Sequence, residues 1–406
     1  MLFYAFLAFF LVGPFGAVRW VYGETISYSI RFFLILIGMF PLMYCLSLKK
    51  NIIAFERSKI ITVLFYAIVL ILNMLIQPDG KYFALLQLIG VLLWIIIGIL
   101  IAYCLEDRGK TISCLIRAFI LANSMYAIST IIYMLYDYQS SINIENNRLI
   151  GFFVGSTVLT EVFFATMLFG FVNLHSNRKL IGSLLISISL VAILLSGVRS
   201  ASVVSIGAAI ILFYIFLGEK MEINNILIRI CLIIVIIPVF FIIPQIKESI
   251  VQRFAWQDIL KEGRFEIWTF GLKSISKDSI FFGKGVRAVF STDIPLDDNI
   301  FKGSVAWHNT WIALIVETGL MGFLMFFVII WKVLKYLSDS FHSWVMGSTV
   351  QDYWKSMAVI VAFRYLLMSL TEMNLYTALS PGVIFFCIIF GILTVTRLPE
   401  KTNLML

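Results

Sequence analysis

Apolar residues in this chain fall into long runs and do not alternate with polar ones. Near-continuous apolar windows lie roughly at 2–20, 28–48, 60–77, 82–104, 112–136, 150–174, 180–197, 200–217, 225–245, 306–331, 356–373 and 379–396. Crossing the ~30 Å hydrocarbon core of a bilayer takes about 20 residues of helix. A helix also satisfies its own backbone polar groups there. The pattern therefore predicts an all-α integral membrane protein with about twelve spans. The windows 180–197 and 200–217 are so close that they require a tight reversal. No basic segment precedes the first window and no clear small-residue cleavage site follows it, so it reads as a span and not a signal.

One long polar stretch, 246–305, interrupts the series and divides the chain into 1–245, 246–305 and 306–406 within one structural unit. Its segment 263–276 is predicted to be an amphipathic helix, with Phe265, Trp268, Leu272 and Ile275 at helical spacing. About 60 residues bury little core alone. The loop is expected to pack on the mouth of the bundle, where loops on a rigid scaffold often carry function.

Composition agrees with lipid as the main solvent: 61% of residues are hydrophobic and 13% charged, against about a quarter charged in soluble domains. The net charge of +8 reads as topology signalling. With the N-terminus inside, Lys49, Lys50, Arg57, Lys59, Arg108, Lys110, Arg178, Lys179, Lys220, Lys332, Lys335, Lys355, Arg397 and Lys401 fall in cytoplasmic connections. Only Arg19, Lys81, Arg148 and Arg199 fall in short outer loops. Both termini are therefore expected in the cytoplasm and the long loop outside. A nucleic-acid role would want a basic patch on a soluble scaffold, and the sequence offers none. The five cysteines, Cys45, Cys104, Cys114, Cys231 and Cys387, are scattered in or near apolar runs and read as packing residues.

A charge inside a span is costly and marks a candidate functional group. Arg117 and Arg229 lie near a cytoplasmic end and can snorkel. Arg31 lies near the outer end of the second window, where snorkelling and substrate contact both fit. Arg364 lies near the middle of the eleventh window and must face the bundle interior, with Glu161 or Glu317 as a possible partner. Glu372, near the outer end of that window, suits an acceptor sugar or an arginine. Three groups are expected at one outer face: Arg199 in Ser196–Ser202, Arg264 in Gly263–Trp268, and His308 in Trp307–Trp311. Taken singly, each also reads as an interfacial anchor, a solvated charge or a cap neighbour. Together they suit one chemistry. A helix N-terminus beside His308 disfavours imidazolium, and a neutral imidazole is what a general base needs near pH 7. Arginine grips phosphate oxygens bidentately. The set fits attack by a hydroxyl with a phosphate leaving group. Gly283-Lys284-Gly285 lacks the strand–helix context of a phosphate loop and reads as a turn. Glu317, nine residues after His308, falls on the opposite helix face and reads as structural. No metal-ligand spacing stands out, so the expected reaction needs neither metal nor cofactor.

These segments resemble the O-antigen polymerase and O-antigen ligase superfamily, the Wzy/WaaL-like membrane glycosyltransferases. The likeness rests on Ser196-Gly197-Val198-Arg199-Ser200-Ala201, on Gly263-Arg264-Phe265-Glu266-Ile267-Trp268 followed by Phe282-Gly283-Lys284-Gly285, and on His308-Asn309-Thr310-Trp311 followed by Val316-Glu317-Thr318-Gly319-Leu320-Met321-Gly322. The resemblance implies a GT-C-like fold in the bacterial inner membrane, with the active site facing the periplasm. It implies an undecaprenyl-pyrophosphate-linked oligosaccharide as donor, and a second lipid-linked repeat unit or lipid A–core as acceptor. His308 would be the base, and Arg199 and Arg264 would hold the departing pyrophosphate. Asn309, Trp268, Arg31, Arg148, Arg364 and Glu372 are candidates for binding substrate. A chain-length regulator is an expected protein partner, and inversion at the anomeric carbon the expected outcome. The motif forms favour a polymerase over a ligase. A transporter of the same lipid-linked glycans is the remoter alternative, since it would place its charges near the midplane between similar halves.

Overall fold

The computed structural model describes residues 53–76, 81–104, 107–137, 142–143, 148–151, 156–176, 178–217, 264–285, 307–346, 349–372 and 381–397. Its helices are α1 (Arg57–Ile76), α2 (Lys81–Cys104), α3 (Arg108–Tyr136), α4 (Ser156–His175), α5 (Lys179–Leu195), α6 (Arg199–Leu217), α7 (Arg264–Lys273), α8 (Thr310–Val345), α9 (Val350–Met368) and α10 (Pro381–Thr394). All but α7 coincide with apolar windows of the sequence. The windows 2–20, 28–48 and 225–245, with Arg31 and most of the loop 246–305, lie outside the described residues. Four of the described helices, α1, α3, α4 and α8, are long and apolar enough to cross a membrane. Two short antiparallel pairs add to the helical class: β1 (Ile53–Phe55) with β4 (Val395–Arg397), and β2 (Ile142–Asn143) with β3 (Arg148–Leu149).

By contact the chain groups into two compact units, each drawn from three stretches of sequence. The first comprises Met1–Leu48, Ile112–Ile259 and Phe341–Ile360. Here α4 and α5 meet where neither has a side chain. A Cβ on Gly170 would lie 2.9 Å from the Gly182 carbonyl oxygen, and one on Gly182 would lie 2.7 Å from that of Gly170. Close approach of backbones at small residues is the usual packing device where lipid supplies no hydrophobic drive between helices. α6 joins through an edge-to-face contact of Phe213 with Phe171, 4.9 Å between centroids. Tyr353 and Trp354 of α9 pack against His175 and Phe169.

The second unit comprises Lys49–Thr111, Leu260–Ser340 and Val361–Leu406. The α2 and α10 backbones touch at Gly98 and Gly391, where an added Cβ would lie 2.0 and 2.2 Å from the carbonyls of Ile388 and Ile95. α1 runs antiparallel to the later part of α8. Lys332 Nζ donates to the Ser58 carbonyl at one end (3.3 Å), and Asn73 Nδ2 donates to the Glu317 carbonyl at the other (2.9 Å). Basic groups gather at the Lys332 end. Lys59 donates to the Leu393 carbonyl (2.7 Å) and to Glu56, and Arg108 donates to the Val395 carbonyl. The Lys59 ammonium holds the Glu56 carboxyl below the usual carboxylate range, outweighing the opposing effect of its partial burial.

The window 306–331, expected as one span, is broken. Gly319 sits at φ 68°, ψ −175° inside α8, a conformation open essentially to glycine alone. The first leg folds back, so Trp311 reaches Phe323 and Phe327, with centroids 5.9 and 6.3 Å apart.

Candidate functional site

The break at Gly319 joins two of the sequence motifs. A helix interrupted at one residue leaves carbonyls and amides on either side without helical partners. The segment Ile280–Gly285 supplies them. The amides of Lys284 and Gly285 donate to the carbonyls of Val316 and Glu317 (2.8 and 3.0 Å). In return, the amides of Leu320 and Met321 donate to the carbonyls of Ile280 and Phe281 (2.9 and 3.1 Å). Gly283 and Gly319 are pressed together so closely that a Cβ on either would lie 2.3 Å from a backbone oxygen of the other's segment. Asn73, fully buried, bridges the junction by donating to the carbonyls of Phe282 (2.5 Å) and Glu317 (2.9 Å). The Gly-Lys-Gly segment is an irregular bend that follows the turn at 277–282, and its glycines serve backbone docking.

Trp307 stands on this platform, 1% exposed. Its indole N–H donates to Glu317 Oε1 (2.6 Å), and its carbonyl accepts from Trp268 Nε1 (2.8 Å). Its ring lies flush on Gly271 of α7, where an added Cβ would sit 2.4 Å from the ring edge. Glu317 is therefore structural, as its helix face suggested. The amphipathic reading of α7 needs correction. Trp268 and Gly271 turn inward, whereas Phe265 and Leu272 are 63% and 47% exposed.

With Trp307 fixed, the chain turns sharply into the helix. His308 adopts φ +48°, uncommon for a residue with a side chain and found chiefly where surrounding contacts impose it. Asn309 follows as the N-cap of α8. Its Oδ1 accepts from the amides of Trp311 and Ile312 (2.9 and 3.1 Å), and its Nδ2 donates to the Leu370 carbonyl (2.9 Å). Thr310 donates from its amide to the Ser369 carbonyl and from its hydroxyl to the Glu372 carbonyl (both 2.9 Å). Three donors of the α8 N-terminus thus satisfy carbonyls at the end of α9, where a helix leaves them open. This clasp brings the Glu372 carboxylate to His308, with Oε2 3.8 Å from Nδ1. The His308 ring is 38% exposed and Glu372 only 16%. At 3.8 Å the carboxylate is within ion-pair range of Nδ1 but beyond hydrogen-bond reach.

Arg364, on α9, is buried at 3%, with its guanidinium carbon 5.7 Å from the Tyr365 ring centroid. Arg264 opens α7, and Arg148 lies in β3. Arg199 opens α6 after a reversal in which Gly197 takes φ +67° and Ser196 Oγ accepts from the Val198 amide (3.3 Å). Arg199 and Arg148 belong to the first unit; His308, Arg264, Trp268, Asn309, Arg364 and Glu372 belong to the second. Sequence reasoning passed over Trp307, Gly271 and Asn73. The signal for Asn73 was a carboxamide inside an apolar run, which must be satisfied there.

Residues 184–327 match the model of the family described as O-antigen ligase. The matched O-antigen ligase segment, about a third of the chain, takes in Arg199, Arg264, Trp268, the Gly283–Gly319 junction, His308 and Asn309, and ends before Arg364 and Glu372. No individual curated protein matches the chain.

Proposed function

We propose that the protein is a surface-polysaccharide polymerase of the inner membrane, joining undecaprenyl-pyrophosphate-linked repeat units at the periplasmic face. The observation that carries this reading is the accessible His308 imidazole, held by its strained backbone and the α8–α9 clasp against the Glu372 carboxylate. His308 Nε2 takes the proton of the acceptor hydroxyl as its oxygen attacks the anomeric carbon. The bond from that carbon to the pyrophosphate oxygen breaks, and undecaprenyl pyrophosphate leaves with the electron pair. Glu372 stabilises the imidazolium that forms, in the way a carboxylate supports a catalytic histidine elsewhere. In-line attack inverts the anomeric centre. Arg199 and Arg264 are assigned the pyrophosphate on the strength of the resemblance, and no metal is required in this scheme. Twelve spans, a GT-C-like architecture, cytoplasmic termini and a chain-length regulator as partner belong to the same reading. The gathering of Lys59, Arg108 and Lys332 at the opposite end of the second unit from His308 supports the orientation.

A ligase that delivers the glycan to lipid A–core is the second reading, favoured by the description of the matching family. Purified protein is given lipid-linked repeat units with and without lipid A–core, and products are read as a ladder. Extension without lipid A–core identifies a polymerase, and product only with it a ligase. If a confirmed donor yields nothing in either, glycosyl transfer is refuted.

A further inference from the structure

The outward face of α7 and the turn that follows it is built for lipid. Phe265, Leu272, Ile280 and Phe281 are all strongly exposed, at 63%, 47%, 45% and 54%. On α7 the residues that turn inward, Trp268 and Gly271, are those that hold Trp307. Phe265, Thr269 and Leu272 recur at helical spacing on the other side, so exposure of the two large apolar groups follows from the packing. Depth comes from α1. Asn73 Nδ2 donates to the Phe282 carbonyl (2.5 Å), and Asn73 is the seventeenth of twenty residues in α1. At 1.5 Å per residue it stands ~24 Å along a helix of ~30 Å, the thickness of the hydrocarbon core. The Ile280–Phe281 edge beside it is thus ~5 Å inside the boundary. Continuity points the same way. Ile280 is bonded to Leu320, and the exposed Leu320, Leu324, Phe327 and Trp331 form one stripe along α8. Exposed lysines, Lys273 and Lys277, flank the apolar groups, the arrangement of a helix lying at an anionic bilayer surface.

The geometry points to α7 and the turn to Phe282 as an interfacial wedge in the outer leaflet, with Phe265, Leu272, Ile280 and Phe281 among acyl chains and Lys273 and Lys277 on anionic lipid phosphates. The occupant is bilayer lipid, and the inference holds whichever glycan is transferred. Because the inner side of the same helix holds Trp307, the bilayer surface sets the seat of the residue before His308.

The full-length protein is placed in phosphatidylglycerol/phosphatidylcholine vesicles carrying a phospholipid with a diazirine in its acyl chain, photolysed, and mapped by peptide mass spectrometry. Carbene adducts are expected on Phe265–Leu272 and Ile280–Phe281 at a yield comparable with the exposed α1 face at Leu64 and Ile68, the internal standard for lipid contact. Ile280→Asp with Phe281→Asp should lose the turn adducts and keep those of α1. With an anionic probe lipid, Lys273→Gln with Lys277→Gln should abolish the several-fold preference over the zwitterionic probe at these peptides alone. Adducts on α1 with none on 265–281 would overturn the proposal. So would cross-links from a photo-reactive residue at 281 to another part of the chain or to a second copy in place of lipid.

Discussion

Substituting Gly271 by alanine tests how rigidly the residue before His308 must be held. The new Cβ would lie 2.4 Å from one Trp307 ring carbon and 3.0 and 3.1 Å from two others. Carbon pairs are at rest near ~3.5–4.0 Å, so the ring must retreat by about 1 Å. It has little room, being 1% exposed and tied at its N–H to Glu317 and at its carbonyl to Trp268. Overpacking of this kind costs about 1–3 kcal/mol of stability, so the variant should fold and insert with a lowered melting temperature. The displacement passes along the chain to His308, and a misplacement of about 1 Å at a reacting group costs on the order of 100-fold in rate, or about 2.7 kcal/mol in the barrier. The assay is the initial rate of glycosidic bond formation in proteoliposomes with lipid-linked repeat units. A lowered kcat with KM near the parent value is expected, because Gly271 supports a support and does not face the donor. Gly207→Ala, with nothing within 4 Å of its added Cβ, should leave the rate unchanged and serves as control. A well-folded Gly271→Ala enzyme with parental kcat would refute the reasoning.

Other outcomes follow from the same contacts. Glu372→Gln should lower kcat by up to about 10⁴-fold, the scale of removing the carboxylate that supports a catalytic histidine, and a rate within a factor of about two of the parent would remove the carboxylate from the mechanism. Asn309→Ala removes the cap of α8, worth about 0.5–2 kcal/mol, and the donor to Leu370, so both melting temperature and kcat should fall. Asn309→Asp, which keeps the cap acceptor, should recover stability ahead of activity. Gly319→Ala should fail to accumulate as folded protein in fluorescence-detected size exclusion, because its Cβ meets the Phe281 carbonyl at 2.3 Å and its φ is +68°. The Glu56 carboxyl is held below its ordinary range, so its contribution to stability is present above the unfolded pKa of about 4.3 and is lost as pH falls through the lower folded value. Glu56 is partly exposed and the effect small; a melting-temperature gap between the parent and Glu56→Gln that is present at pH 7 and closes as the carboxyl becomes protonated at acid pH is the expected result.

Much of the helical layout was legible because apolar length is nearly a sufficient signal in lipid. The windows 60–77, 82–104, 180–197 and 200–217 became α1, α2, α5 and α6 with boundaries shifted by a few residues. His308, Asn309 and Glu372 were each visible as polar groups at window ends, but their clasp was not, because it joins residues about sixty apart. The break in α8 was hidden by hydropathy, which is blind to φ; Gly319 between Glu317 and Gly322 looked like motif, and what it accommodates is another backbone. α7 misled for a physical reason. Helical spacing gives a period without a direction, and beside a bilayer the larger apolar residues can face away from the protein.

The seam between α2 and α10 sets a clock on assembly. Gly98 and Gly391, which touch backbone to backbone, are separated by about 290 residues. At ~5–20 residues per second of synthesis, α2 enters the bilayer some 15–60 s before the helix that fits against it. Through that interval the small-residue groove on α2 faces lipid or a chaperone, and this seam of the second unit closes only when α10 arrives. A nascent chain arrested before Pro381 should therefore expose this groove and be the species that quality-control proteases recognise.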